Sequence, residues 1–327
     1  MLDWRITKAS ANLDMDSYPH KDITKIELVD GSDVLHSLDG GQNQALCIFD
    51  RKAPTMNYGT YIYANSQISL YGIDFGRYLW DPVLALDPTR FKSLQLKVTF
   101  DENVSDTSAE VNALRVWAEC FDEKVISPMG FLSAKNFESW SLSAAAAYHY
   151  IDLPTDLVIR KMIIQGYKSA TCPSSQAAEA RLNEDNDKRV VFDWDLENYQ
   201  IQRMGIDPPV EEIIASQVVT SGADLYLTPT NYWALLEGTM YGNPYPVYNY
   251  AVAQGGHFSI KGEATGQFSG ICRGWLPNHC TQFPFGDQQD IEDWYDVTKI
   301  GSLRLRLKSG TSTSGNVDTI LQQLRKY

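Results

Sequence analysis

Three small groups of residues have types and spacing that could do chemistry. Asp193, Asp195 and Glu197 place three carboxylates two residues apart, and a pair of such acids serves glycoside hydrolases as acid and base. On a strand alternate residues share a face, and Phe192 and Trp194 take the other one. A solvated strand face therefore accounts for all three acids. Asp185, Asn186 and Asp187 open like an oxygen-rich cation loop, but the glycine and glutamate that complete an EF-hand do not follow. A turn whose acids are balanced by Lys188 and Arg189 is the expectation there. His279 and Cys280, with His257 and Cys272 nearby, have the types of a metal site or a Cys/His nucleophile pair. Their spacing suits no zinc site, and neighbours on a strand face opposite ways, so the expectation is a core cysteine beside a surface histidine. No G-x-S-x-G elbow, phosphate loop or dinucleotide fingerprint occurs. The expectation is a chain that is no enzyme, with no catalytic, cofactor-binding or metal-ligating residue and no cofactor.

Composition narrows the class further. The 327 residues are 43% hydrophobic, enough for real cores, and the aromatic share of 12%, led by 18 tyrosines, suits pleated surfaces and interfaces. A formal net charge of −13 argues against sequence-specific nucleic-acid binding, which needs clustered Lys and Arg. Arg304, Arg306, Lys308, Arg325 and Lys326 form one local basic stretch, read as the wet faces of strands. The five cysteines (Cys47, Cys120, Cys172, Cys272 and Cys280) are scattered and odd in number, so free thiols from synthesis in a reducing host cytoplasm are expected. The start lacks the apolar core of a secretory signal, and no apolar run is long enough to span a bilayer.

What would position these residues is β structure. Leu94, Leu96, Val98 and Phe100 alternate with polar residues, as do Leu114, Val116, Ala118 and Cys120. Val190, Phe192, Trp194 and Leu196 repeat the pattern, and Leu303, Leu305 and Leu307 alternate with Arg304, Arg306 and Lys308. Turn chemistry fills the gaps, at Asp30-Gly31, Asp39-Gly40-Gly41, Asn57-Tyr58-Gly59, Ser221-Gly222, Gly242-Asn243-Pro244 and Gly255-Gly256. Many short strands between such turns predict sandwiches or barrels. Helix is expected only in short pieces, at 144–147 and 174–182. The segment 318–327 fits a helix or a closing strand by periodicity. Asp207-Pro208-Pro209 removes two backbone donors and fixes φ, so a boundary is expected there, dividing the chain into 1–207, with an N-terminal arm, and 208–327.

Two stretches hold long, specific strings. The first joins residues 128–135 (PMGFLSAK), 150–156 (YIDLPTD), 160–162 (RKM) and 182–189 (LNEDNDKR). The second joins 270–275 (GICRGW), 284–287 (PFGD), 293–297 (DWYDV), 301–305 (GSLRL) and 321–327 (LQQLRKY). Both resemble the double jelly-roll major capsid proteins of tailless icosahedral prokaryotic viruses. The first 125 residues resemble the family mainly in strand pattern, while 309–316 and 240–250 have no counterpart.

The resemblance implies an all-β chain of two eight-stranded jelly rolls in tandem, with 318–327 as a closing strand. It further implies a homotrimer with a pseudo-hexagonal outline, tiling an icosahedral virion shell. The partners would be the chain itself, neighbouring trimers, and other capsid proteins such as penton or membrane-associated ones, over an internal membrane in some members. Tyr241, Tyr245, Tyr248 and Tyr250, interleaved with prolines, read as an interface loop or an exterior tower. The alternative reading is a receptor- or carbohydrate-binding β-sandwich spike protein, with the aromatic loops as sugar platforms. A cupin- or lectin-type module would need a metal cluster or ligand pocket that the scattered histidines do not suggest.

Overall fold

The computed structural model describes residues 1–8, 15–52, 56–62, 64–106, 109–218, 222–242, 245–261 and 266–327. Of the expected turns, Ser221, Asn243 and Pro244 lie outside these residues.

Seven strands come first: β1 (Leu2–Lys8), β2 (Ile23–Asp30), β3 (Asp33–Leu38), β4 (Asn57–Tyr61), β5 (Ser66–Tyr71), β6 (Leu94–Phe100) and β7 (Ala109–Val116). Pairing orders them as β4-β5-β1-β7 and β3-β2-β6. Leu2, Trp4, Ile6, Ile26 and Tyr71 share a buried core between the two, with Leu96, Val98 and Leu114 packed on it. The alternation read in β6 thus turns its leucine and valine inward. In β7 the alternation stops at Val116, and Cys120 beyond it is exposed rather than inward.

A second group follows: β8 (Gly130–Ser141), β9 (Tyr148–Leu153), β10 (Ile159–Tyr167), β11 (Ala177–Glu184) and β12 (Arg189–Asp195). After an intervening segment of six strands, β13 (Val210–Val218), β14 (Ala223–Tyr226), β15 (Leu235–Met240), β16 (Val247–Tyr250), β17 (His257–Ile260) and β18 (Gly266–Gly274), the chain closes with β19 (Cys280–Pro284), β20 (Leu303–Ser309) and β21 (Asn316–Lys326). The closing strands return to the second group. β21 lies between β8 and β10, and β20 between β9 and β11, giving β19-β10-β21-β8 on one side and β12-β11-β20-β9 on the other. Ile151, Met162, Ile164, Leu182, Leu305 and Leu321 fill the core of this eight-stranded jelly roll. Leu303, Leu305 and Leu307 are buried as their alternation requires. Residues 318–327 continue a strand, as the resemblance implied, rather than a helix.

The boundary expected at Asp207–Pro209 needs correction. Strands on both sides of the double proline pair within the same sheets, so 208–327 is not a separate barrel. The prolines end a helix without ending a sandwich. Two sheets also run from one sandwich onward: β3 pairs in parallel with β8 at Ser37 and Lys135, and β4 pairs in parallel with β13. β13 to β18 add their own small core, which includes Ile214, Leu225, Leu236, Phe258 and Phe268.

Helix is also placed differently from expectation. Residues 144–147 form a turn, and 174–182 divides into a short 3-10 turn (Pro173–Ser175) and β11. Among the described residues the two α-helices are α1 (Gly40–Arg51) and α2 (Leu196–Met204). Asp39 and Gln42 make a capping box that starts α1: Asp39 Oδ1 accepts the Gln42 N–H at 2.7 Å, and the Asp39 N–H donates to Gln42 Oε1 at 3.1 Å. α1 then packs Ala45 and Leu46 onto Ala134, Ile163 and Ile320 of the long sheet. Its polar side chains tie the parts together. Gln42 Nε2 donates to Gln165 and Asp318, and Gln44 Nε2 to Asn57, which in turn donates to Thr228.

Candidate assembly surface

The residues singled out for chemistry are dispersed into structural roles. Asp193 sits on an exposed sheet face between Arg181 (3.4 Å) and Arg306 (3.6 Å). Asp195 caps α2 by accepting the Asn198 N–H at 2.9 Å, and Glu197 lies in the first turn of that helix. Asp193 and Asp195 thus both belong to β12 and only Glu197 leaves the strand, while Asp195 and Glu197 also serve the helix N-terminus, where negative charge is favourable. Asp185, Asn186 and Asp187 all have positive φ, a left-handed turn. Asp185 Oδ1 accepts the N–H groups of Gly301 (2.8 Å) and Ser302 (3.1 Å), so it clamps a neighbouring loop. Arg189 pairs with Glu184 and Arg181 with Asp187, in place of the expected balance by Lys188 and Arg189.

His279 is fully buried, contrary to the expected surface histidine. Leu276, Asn278 and His279 each have positive φ, so strand alternation does not govern them and both His279 and Cys280 turn inward. The ring meets Tyr18 and Tyr167 edge-on, and burial pushes its pKa down to about 3. Burial pushes the Cys280 and Cys272 thiols up, which leaves them poor nucleophiles. His257 stands 3.4 Å from Asp224, apart from the others. All five cysteines are free, four of them buried and Cys120 exposed. Among the described residues no three His, Cys, Asp or Glu side chains group as metal ligands do.

The feature that remains is a surface rather than a pocket of reactive groups. Among the described residues β16 is the outer strand of its sheet, paired on one side with β15. Its exposed face carries Tyr248 (60%) and Tyr250 (59%), and the turn before it leaves Tyr241 81% exposed. Tyr232 and Trp233 form the turn just before β15, where the Ala253 N–H donates to the Tyr232 carbonyl, and they add a further exposed aromatic pair near the end of β16, with Trp233 at 59%. An edge strand offers unpaired N–H and C=O groups, and exposed tyrosine and tryptophan contribute large contact area at small entropic cost. The tyrosines were legible in the sequence. Tyr232 and Trp233 were not, because one aromatic pair carries no period.

No family model matches the sequence, and no curated protein does. Solved structures do. The STIV MCP superposes on the whole chain (100%) over 88% of its own length, with a TM-score of 0.52 and 11% identity. PBCV-1 VP54, in a structure fitted into a cryo-EM reconstruction of the virophage Sputnik, covers 99% of this chain and 85% of its own, with a TM-score of 0.50 and 8% identity. The major capsid protein P2 from Bacteriophage PM2 aligns over 100% of this chain and 87% of its own at 10% identity, with a TM-score of 0.46. The protein thus has the double jelly-roll fold of viral capsid proteins. That is the fold the sequence resemblance implied.

Proposed function

We propose that this chain is the major capsid protein of an icosahedral virus, a structural subunit that forms homotrimers and then a shell. The observation that carries the reading is the fold shared with the STIV and PBCV-1 proteins along essentially the entire chain. Two side-by-side sandwiches per subunit give three subunits six similar lobes, which suits a threefold object to a sixfold lattice position. In this reading one lobe is built by β1–β7 and the other by β8–β12 with β19–β21. The segment from β13 to β18 is an insertion whose aromatic edge meets other copies or other capsid proteins, such as penton or membrane-associated ones. The chain is made in the host cytoplasm, acts in the virion, and has no catalytic task and no sequence-specific contact with nucleic acid.

Light scattering on the purified protein should report about three times 36.8 kDa, and electron microscopy should show triangular or hexagonal particles. A chain that stays monomeric at high concentration and retains a glycan would replace this reading with that of a carbohydrate-binding spike.

A further inference from the structure

We propose that the cavity between α1, α2 and the β10–β19 edge is a binding site for a small organic carboxylate with an apolar body. The cavity measures about 300 Å³, at the lower end of the roughly 300–1,000 Å³ range of small-molecule sites.

Its charged wall is built by an irregularity in a strand. β10 is buried on both faces: Met162 and Ile164 face the jelly-roll core, while Ile163 and Gln165 face α1. Strict alternation would send Lys161 toward α1 and Arg160 into the apolar core. Instead the pairing of β10 with β21 shifts between Ile159 and Lys161, so Ile159 joins the core and both cations reach the α1 side. Bulges of this kind re-aim side chains and recur beside functional sites.

The two cations then share one acid. Asp50 Oδ1 accepts from Arg160 Nη1 (2.9 Å) and Lys161 Nζ (2.7 Å), and all three side chains are 1–2% exposed. Asp50 Oδ2 accepts from Gln322 Nε2 at 3.0 Å, and Arg160 also donates to Gln322 Oε1 and to the Gln288 carbonyl. Nearby Arg203 is neutralised by Asp207, and the exposed Lys52 and Asp287 are of opposite sign. Burial pushes the Lys161 ammonium pKa down, and with that lysine protonated one buried positive charge is left over. The C-terminal turn of α1 offsets about half of it at most. A buried charge without a full partner is destabilising, so an anion in the adjoining cavity is favoured. Of the hydrogen bonds among the described residues, none uses Arg160 Nη2, and only one uses Lys161 Nζ. Arg160 and Lys161 are both lining residues of the cavity, and a guanidinium and an ammonium carry more donors than these bonds use. The remainder of the wall includes Phe49, Met204, Ile206 and Trp275, which fits an apolar or aromatic body behind the carboxylate.

The test is calorimetry and thermal denaturation on the purified full-length protein, with indole-3-acetate and phenylacetate as probes and indole-3-acetamide as the uncharged control. The acids should bind and raise the melting temperature, with the amide at least about tenfold weaker, as expected for a lost charge-assisted contact. Lys161→Gln leaves Asp50 balanced by Arg160 alone, so it should abolish acid binding and leave stability equal or higher. Ile206→Trp adds bulk at a lining residue that is 69% exposed, where a surface change costs little stability, and should also abolish binding. Equal binding of acid and amide, no binding of either acid at 10 mM, or unchanged binding in both variants would overturn the proposal.

Discussion

At the scale of single residues the buried titratable groups set an acid limit on stability. His36, whose Nε2 lies 2.8 Å from Asn43 Oδ1, is held down to about 4 by burial, and His279 to about 3. Both lie below the ordinary value of 6.5, so the folded chain keeps neutral rings. Between pH 6.5 and about 4 the unfolded chain binds a proton at each ring and the folded chain does not, so stability falls as the pH drops. Buried His20 is pushed the same way. Asp22 opposes them. Burial raises it to about 7, although the Ser105 N–H and hydroxyl and the Trp4 indole all donate to it. Folding therefore retains its proton while the unfolded carboxylate ionises above 3.8, and this one contribution falls as pH rises toward 7. Burial raises Asp318 as well, but the three histidines outnumber the two acids, so denaturant midpoints should drop between pH 6 and 4.5. Asp22→Asn should steepen that dependence by about one proton; an unchanged slope would contradict the assignment. The acids near α2 separate in the same way. Asp195→Ala should cost about 0.5–2 kcal/mol through loss of the helix cap, whereas Asp193→Ala should stay within about 0.5 kcal/mol in the same denaturation assay.

Among the elements, α1 is the one on which the others converge. Gly40 starts it against the backbone: an added Cβ would meet the His20 carbonyl oxygen at 2.5 Å and the Ile23 carbonyl oxygen at 2.9 Å. Main-chain atoms cannot swing aside, so Gly40→Ala should destabilise by about 1–3 kcal/mol or more, read from urea unfolding. This helix was illegible in the sequence. Asp39-Gly40-Gly41 carries turn residues that hide a capping box, and the buried face of α1 includes Gln42, Asn43 and Gln44, which break any apolar stripe. The strands were readable wherever one face is wet, as in Leu303–Leu307, because alternation is then complete. β10 shows the opposite case: both faces are buried, and Arg160 and Lys161 inside an apolar run are the only sign that something unusual sits there. A charged pair in such a run demands a buried partner, and Asp50 is more than a hundred residues away. The boundary failed for a related reason. Double proline reports local geometry, whereas the partners of β20 and β21 are fixed by packing at long range.

For the whole molecule, the acidic charge and the aromatic edge pull in opposite directions. Repulsion among chains of net charge −13 keeps free subunits apart and is screened within about 10 Å at 0.1 M salt. In the proposed shell, contacts made through the exposed Tyr241, Tyr248 and Tyr250 would gain from burying apolar surface and would persist when the charge is screened. Assembly beyond the proposed trimer should therefore increase with ionic strength in light scattering. The double change Tyr248→Ser with Tyr250→Ser should reduce it while leaving the melting temperature of the subunit nearly unchanged, since both side chains are exposed. Loss of folding in that variant would mean that the edge supports the subunit itself.

The return of β20 and β21 also bears on how the polypeptide emerges from the ribosome. β8 is translated well before β21, and β9 before β20, yet each is completed only by that later strand. During elongation their ladders stand open, with apolar side chains uncovered, for the whole time needed to translate the intervening residues. Such a nascent chain invites mispairing with its neighbours on a polysome, and chaperone occupancy during synthesis becomes a condition of yield.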